Sequence, residues 1–172
     1  MPAYKTLRHR GTDEVVITRS RFIGQSCPCH TEEEALAFLA EVRARYRDAR
    51  HNCYAYIIGS NMGVMRYSDD GEPGGTAGLP IIETMKARGV TDACVVVTRY
   101  FGGVLLGTGG LTRAYRKGCV IALDAGGVVE ISPRSFSCAR WPIPCGTGSA
   151  MRSIPFRLRS RTHPSIRRCR RR

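Results

Sequence analysis

The chain has 172 residues and a formal net charge of +13, but its charge is unevenly distributed. Residues 1–131 hold 16 of the 27 basic residues and all 14 acidic ones, so they carry only +2. Overall charge therefore says little about the partners of this part of the chain. The sequence contains no apolar run of about 18 residues, so no membrane helix is predicted. The N-terminus lacks the apolar core of a secretory signal. We expect a cytoplasmic protein with no membrane partner.

The first 67 residues predict two strands, one helix and a hairpin. Thr31 and Glu34 form a capping box at the start of the helix. Its C-terminal end is crowded by arginines, which are interpreted as a solvated helix end: Arg43, Arg45, Arg47 and Arg50. The predicted elements are an irregular lead-in over residues 1–11, strands over 14–18, 22–27, 53–58 and 64–67, and a helix over 31–47.

The middle of the chain predicts two glycine-rich loops separated by a helix and a strand. The helix covers 79–88 and ends at Gly89, a typical C-terminal cap. A nearly continuous apolar strand over 93–100 is expected to be buried on both faces. A second helix over 111–123 and a strand over 128–131 follow the second loop.

The last 41 residues differ in composition from the rest. They contain eleven arginines, seven serines and five prolines, but no Lys, Asp or Glu. They show neither helical nor strand periodicity, and the prolines interrupt regular structure. The composition predicts that residues 132–172 form a disordered, irregular tail.

Five motifs in order carry a family resemblance. They are S-R-F-I at 20–23, H-N-C-Y-A-Y at 51–56, S-D-D-G-E-P-G-G-T-A-G at 68–78, V-T-R-Y-F-G-G at 97–103, and L-G-T-G-G-L at 106–111 followed by R-A-Y. With these motifs, residues 14–131 closely resemble the IMPACT/YigZ family. Residues 1–131 are thus interpreted as an IMPACT-type N-terminal domain.

The resemblance implies an α/β domain of the α+β sandwich type, with a ribosomal-protein domain 2-like fold. The same fold occurs in domain IV of translocation GTPases. The resemblance also implies a link to translation, since eukaryotic relatives regulate initiation by competing for the activator of a stress kinase. Bacterial relatives usually carry a second, ferredoxin-like domain, which is expected to start near Glu130. The arginine-rich tail departs from that pattern, and we interpret it as a frameshifted or truncated replacement.

The first loop is acidic and offers two interpretations. Asp69, Asp70 and Glu72 could hold a divalent cation, or they could belong to a tight turn rich in Asp and Gly. We favour a structural network in which Glu72 pairs with an arginine at 66, 99 or 113. His51 is expected to hydrogen-bond the Asp69–Asp70 turn, and Thr76 belongs to the same loop.

The second loop could bind phosphate or nucleic acid, because it runs from a strand into a helix N-terminus. The alternative is tight packing against the acidic loop. Tyr115 could stack a base or belong to the core. Gly75, Gly103 and Gly109 are expected to tolerate no side chain. The candidate binding residues are Arg99, Gly102, Gly103, Gly107, Gly109, Gly110, Arg113 and Tyr115.

Two functions follow from these observations. The first is a translation-associated binding module for RNA, the ribosome or a regulatory protein, without DNA specificity. The alternative is a hydrolase-like enzyme that acts on a phosphorylated or peptide substrate through the acidic loop. His51 and Cys53 lack an identifiable orienting group, so no catalytic residue, metal or cofactor is predicted. The oligomeric state stays open.

Overall fold

A computed structural model describes residues 3–132 of the chain. The prediction for the arginine-rich tail lies outside these residues, apart from Ser132. The strands are β1 (Tyr4–Leu7), β2 (Gly11–Ile17), β3 (Ser20–Pro28), β4 (His51–Ile58), β5 (Val64–Ser68), β6 (Ala93–Tyr100) and β7 (Val128–Ile131). The helices are α1 (Glu32–Arg45), α2 (Gly78–Arg88) and α3 (Gly107–Gly126).

Five strands form an antiparallel sheet in the order β2-β3-β6-β4-β5. The central strand is β6, and its residues from Ala93 to Arg99 are all buried. Its apolar sequence therefore matches its position, because a central strand with both faces covered cannot alternate with polar residues.

The helices cover the two faces of this sheet separately. Helix α1 packs on one face, where Phe38 and Val42 share a core cluster with Val96 of β6. Helices α2 and α3 pack on the other face, where Ile81 and Tyr115 share a larger cluster with the sheet. The predicted α+β sandwich is confirmed.

Two sequence predictions are wrong about element boundaries. The lead-in is not entirely irregular, because it contains β1, which pairs with β7 at the other end of the domain sequence. A four-residue strand with a distant partner leaves no local pattern to detect. Helix α3 begins at Gly107 rather than at residue 111, so its first turn includes three glycines in spite of their low helix propensity. The predicted glycine cap of α2 is confirmed, since Gly89 is left-handed with φ of 67°.

Candidate functional site

Asp69 organises the acidic loop by capping α2. The N-cap residue, Ala77, has no side chain that could cap the helix. Asp69 supplies the missing acceptors: its Oδ1 accepts from the amides of Ala77 at 3.0 Å and Gly78 at 2.8 Å. Its Oδ2 accepts from the Gly75 amide at 2.9 Å. A carboxylate at a helix N-terminus also interacts favourably with the helix dipole, so Asp69 has a structural role.

Asp70 connects the acidic loop to α1 and β4. One carboxylate oxygen accepts from Arg43 at 2.8 Å, and the other accepts from the Asn52 amide at 2.7 Å. The carbonyl of Asp70 lies 2.8 Å from Nδ1 of His51. The predicted hydrogen bond between His51 and this turn is therefore present. Thr76 is also structural, since its hydroxyl donates to the Pro73 carbonyl at 2.7 Å.

Glu72 reaches the core and forms an ion pair with Arg99. Its Oε1 accepts from Nη1 of Arg99 at 2.6 Å and from the hydroxyl of Tyr115 at 2.9 Å. Only 8% of the Arg99 side chain and 3% of the Glu72 side chain are exposed. Of the three arginines that the sequence leaves open, Arg99 is thus the partner. The pair links the acidic loop to the end of β6, the strand that runs into the second glycine-rich loop.

Tyr115 and Cys53 complete the buried side of this network. Tyr115 is fully buried, so it belongs to the core and cannot stack a base. Burial raises the pKa of its hydroxyl far above the usual range, which keeps it a donor to Glu72. The Cys53 thiol donates to the Asp69 carbonyl at 3.0 Å, and burial raises its pKa to about 12. A thiol with such a pKa is not a nucleophile near neutral pH.

The second glycine-rich loop meets specific conformational demands at two positions. A Cβ atom on Gly102 would lie 1.9 Å from the carbonyl oxygen of Arg19. Gly103 has φ of 83°, which a side chain would strain. Gly75 is similar, with φ of 77°. The expectation for Gly109 is wrong, because it lies within α3 with no atom closer than 3.9 Å to an added Cβ.

A small pocket lies next to Arg99, at the end of the sheet where β6 ends and β4 begins. Its volume is about 220 Å³, and its lining residues are Arg50, His51, Arg99, Phe101 and Leu105. Arg99 and His51 are paired in the register of β6 and β4. Arg50 is exposed, as expected for a solvated helix end, but it also lines this pocket because it directly precedes His51 at the start of β4.

A second pocket shares Leu105 with the first one. It has a volume of about 410 Å³. Its lining residues are Ile17, Thr18, Leu105, Leu106, Gly110, Arg113, Ala114 and Lys117. We call the combined lining of both pockets the Leu105 surface. It joins the predicted residues Arg99, Gly110 and Arg113. The other predicted glycines, Gly102, Gly103, Gly107 and Gly109, lie in the adjoining loop and first helical turn.

The Leu105 surface is basic and partly apolar. It includes four cations, Arg50, Arg99, Arg113 and Lys117, and no Asp or Glu. Three of them are exposed and form no ion pair with another described residue. Leu105 is 87% exposed and Phe101 is 47% exposed. Such a surface suits a partner that combines negative charge with flat apolar groups.

The described residues show neither a metal cluster nor a membrane segment. Within residues 3–132, His, Cys, Asp and Glu side chains form no group of three or more that could hold a metal ion. No helix in that range has both the length and the hydropathy to cross a membrane.

Comparisons with known proteins agree on one family. A family model described as the Impact N-terminal domain matches residues 18–123. The IMPACT family member YvyE of Bacillus subtilis is 48% identical over 128 residues, which cover 74% of this chain and 59% of YvyE. The IMPACT family member YigZ of Escherichia coli is 46% identical over 109 residues, which cover 62% of this chain and 53% of YigZ.

A solved structure shares the fold. It is the crystal structure of a protein described only as hypothetical, which is 39% identical and superposes with a TM-score of 0.72, covering 77% of this chain and 66% of that protein. The chain spans between half and three-fifths of the length of the two curated relatives. Because the family model covers more than half of the chain and the solved structure shares its fold, the chain belongs to the IMPACT family.

Proposed function

We propose that this domain is a translation-associated binding module that holds RNA on the Leu105 surface. The observation that carries the proposal is the concentration of three exposed cations, Arg50, Arg113 and Lys117, on a surface lined by no carboxylate. RNA supplies the complementary groups, since its phosphates bind guanidinium and ammonium groups and its unpaired bases stack on aromatic rings. The link to translation follows from the family resemblance.

The neighbouring helix terminus supports the same partner. Helix α3 begins at Gly107 and has no side-chain cap, and the residues of its first turn are largely exposed. Free backbone amides at a helix N-terminus favour phosphate. Arg113 lies on the same helix and its side chain is exposed, so it adds a cation near this terminus.

The alternative function, a hydrolase using the acidic loop, receives no support from the geometry. Asp69 caps α2, Asp70 binds Arg43 and the Asn52 amide, and Glu72 is buried against Arg99. A general base must reach a substrate proton, and these three carboxylates are all occupied by protein groups.

The proposal is tested by RNA binding with three charge variants. Arg113→Gln and Lys117→Gln remove cations from the Leu105 surface. Arg116→Gln is the matched control, because Arg116 lies on the same helix but pairs with Glu83 of α2. Affinity for a short single-stranded RNA is measured by fluorescence anisotropy at several salt concentrations.

We expect the first two variants to weaken binding and the control to bind like the parent. Two to three phosphate contacts with a single strand predict a slope of about −1.4 to −2.1 in a plot of log affinity against log salt. Every variant carries the same eleven tail arginines, so differences between variants report on the domain. A chain ending at Ile131 removes the contribution of the tail directly. Equal affinities for all three variants would contradict the proposal and favour a protein partner.

A further inference from the structure

The smaller pocket of the Leu105 surface offers chemistry for one particular part of a nucleic acid. We propose that it binds the terminal phosphate of a nucleotide, with the base stacked against Phe101. This inference rests on the proposed function, which it deepens by naming the ligand group. The pocket holds about 220 Å³ and is lined by two arginines, one histidine and two apolar residues.

Arg99 is fixed in the wall of this pocket with an unused donor. Its guanidinium lies between the rings of Phe22 and Phe101, with its central carbon 5.7 Å and 5.5 Å from their centroids. Nη1 donates to Glu72, whereas Nε is buried and has no hydrogen-bond partner among the described residues. Buried donors in native structures are almost always paired, so Nε is a polar group for which the described residues supply no acceptor.

His51 adds a second nitrogen group of defined tautomer. Nδ1 lies 2.8 Å from the carbonyl oxygen of Asp70. A carbonyl only accepts hydrogen bonds, so Nδ1 carries the proton and Nε2 is the ring nitrogen left for a ligand. Nε2 accepts from a protonated phosphate when the ring is neutral and donates to a phosphate oxygen when the ring is charged.

Arg50 provides the accessible charge of the pocket. It is exposed and forms no ion pair with another residue of the described domain. Because Glu72 compensates Arg99, Arg50 supplies most of the net attraction for an anion. A phosphate monoester has more charge and more free oxygens than an internal phosphodiester. A terminal phosphate therefore uses convergent guanidinium groups better than an internal one does.

The two apolar residues that line the pocket, Phe101 and Leu105, indicate which kind of molecule would carry the phosphate. Phe101 and Leu105 are 47% and 87% exposed, so both side chains can contact a ligand. A base stacked on an aromatic ring gains affinity with little dependence on sequence. A lining that combines cations for a phosphate with apolar side chains for a base indicates a nucleotide rather than inorganic phosphate.

The experiment compares two forms of one short single-stranded RNA, with a 5′-phosphate or a 5′-hydroxyl, and adds adenosine 5′-monophosphate as competitor. It uses the full chain, and the readout is the ratio of the two dissociation constants. Arg50→Gln is the test variant. Arg47→Gln is the matched control, because Arg47 is also exposed and follows the same helix, but does not line the pocket.

We expect the phosphorylated RNA to bind about tenfold more tightly, the effect of one charge-assisted hydrogen bond. The ratio should fall close to one in Arg50→Gln and stay at the parent value in Arg47→Gln. Phe101→Ala should weaken competition by adenosine monophosphate. If adenosine monophosphate binds as tightly in competition as the phosphorylated RNA does, the ligand is a mononucleotide. If it binds more weakly than the phosphorylated RNA, the ligand is an RNA end.

Equal affinity for the two RNAs in the parent, or a ratio that Arg50→Gln leaves unchanged, would overturn the inference. The proposed RNA function survives that result, provided that Arg113→Gln still weakens both RNAs. If neither RNA binds but the mononucleotide binds in an Arg50-dependent way, the pocket is confirmed and the RNA function is wrong. If neither RNA nor nucleotide binds, both proposals are wrong.

Discussion

The buried ion pair between Glu72 and Arg99 allows a quantitative test of the interpretation of the acidic loop. Replacing Glu72 with Gln keeps the shape of the side chain but removes the counter-ion of a guanidinium that is 8% exposed. Breaking a buried pair in this way typically costs about 3–5 kcal/mol. The amide oxygen of Gln still accepts from Arg99 and Tyr115, so we expect a loss near 3 kcal/mol, at the lower end of that range.

A matched exposed pair provides the control. Arg116 and Glu83 also join two elements, but their side chains are 53% and 48% exposed. Glu83→Gln should therefore lower the free energy of unfolding by less than about 1 kcal/mol. Both values are measured by urea denaturation at neutral pH, with the requirement that the denaturant slope is unchanged.

A double variant separates lost charge pairing from lost packing. Glu72→Gln combined with Arg99→Met removes both charges and fills the space with an apolar side chain. Replacing a whole buried ion pair with apolar groups is often neutral or stabilising, so the double variant should be more stable than Glu72→Gln alone. If Glu72→Gln loses no more stability than Glu83→Gln, the pair does not hold the acidic loop to β6 and our interpretation is refuted.

The remaining predictions concern glycines, a thiol and the tail. Gly102→Ala should lower the free energy of unfolding by about 2 kcal/mol or more, because its Cβ would collide with the backbone of Arg19. Gly109→Ala should stabilise α3 by up to about 1 kcal/mol. Thermal melts that rank the two variants in the opposite order would contradict this steric argument. A hydrogen bond with Cys29 lowers the pKa of Cys27, so the midpoint pH of its alkylation rate, followed by mass spectrometry, should be lower than that of a free thiol, while burial at 6% exposure keeps the rate itself slow. Trypsin should remove the tail and leave a resistant fragment ending near residue 131; cleavage spread evenly over the chain would argue against that boundary.

Much of the fold could be predicted because its signals are local. The apolar run over Ala93–Tyr100 matches β6 at both ends, and a single glycine marked the end of α2. The pairing of β1 with β7 could not be predicted, because four-residue strands carry too little pattern and their partners lie at opposite ends of the domain. The start of α3 was missed because a helical turn containing three glycines contradicts local propensity.

The site was harder to predict because it depends on which arginine is buried. Three arginines were open as partners of Glu72, and the sequence separation of 27 residues gave no preference for Arg99. A usable signal did exist: Val95, Val97 and Arg99 alternate along β6, so they share one face of the sheet. Two of the three are apolar, which indicates that Arg99 points towards the core. The sequence does not indicate that Leu105 shares one pocket with Arg50 and another with Arg113, because only folding of the loop brings these residues together.

The near-neutral charge of residues 1–131 and the basic character of the Leu105 surface are compatible because the acidic residues lie elsewhere. Asp69, Asp70 and Glu72 interact with a helix N-terminus, with Arg43 and with Arg99. Other carboxylates pair with arginines that do not line this surface, as in Glu14–Arg21, Glu41–Arg10, Glu83–Arg116 and Asp124–Arg88. The cations that remain uncompensated include the exposed ones beside Leu105. A total of +2 therefore hides a local excess of positive charge, and the position of the charges determines whether the domain attracts a polyanion.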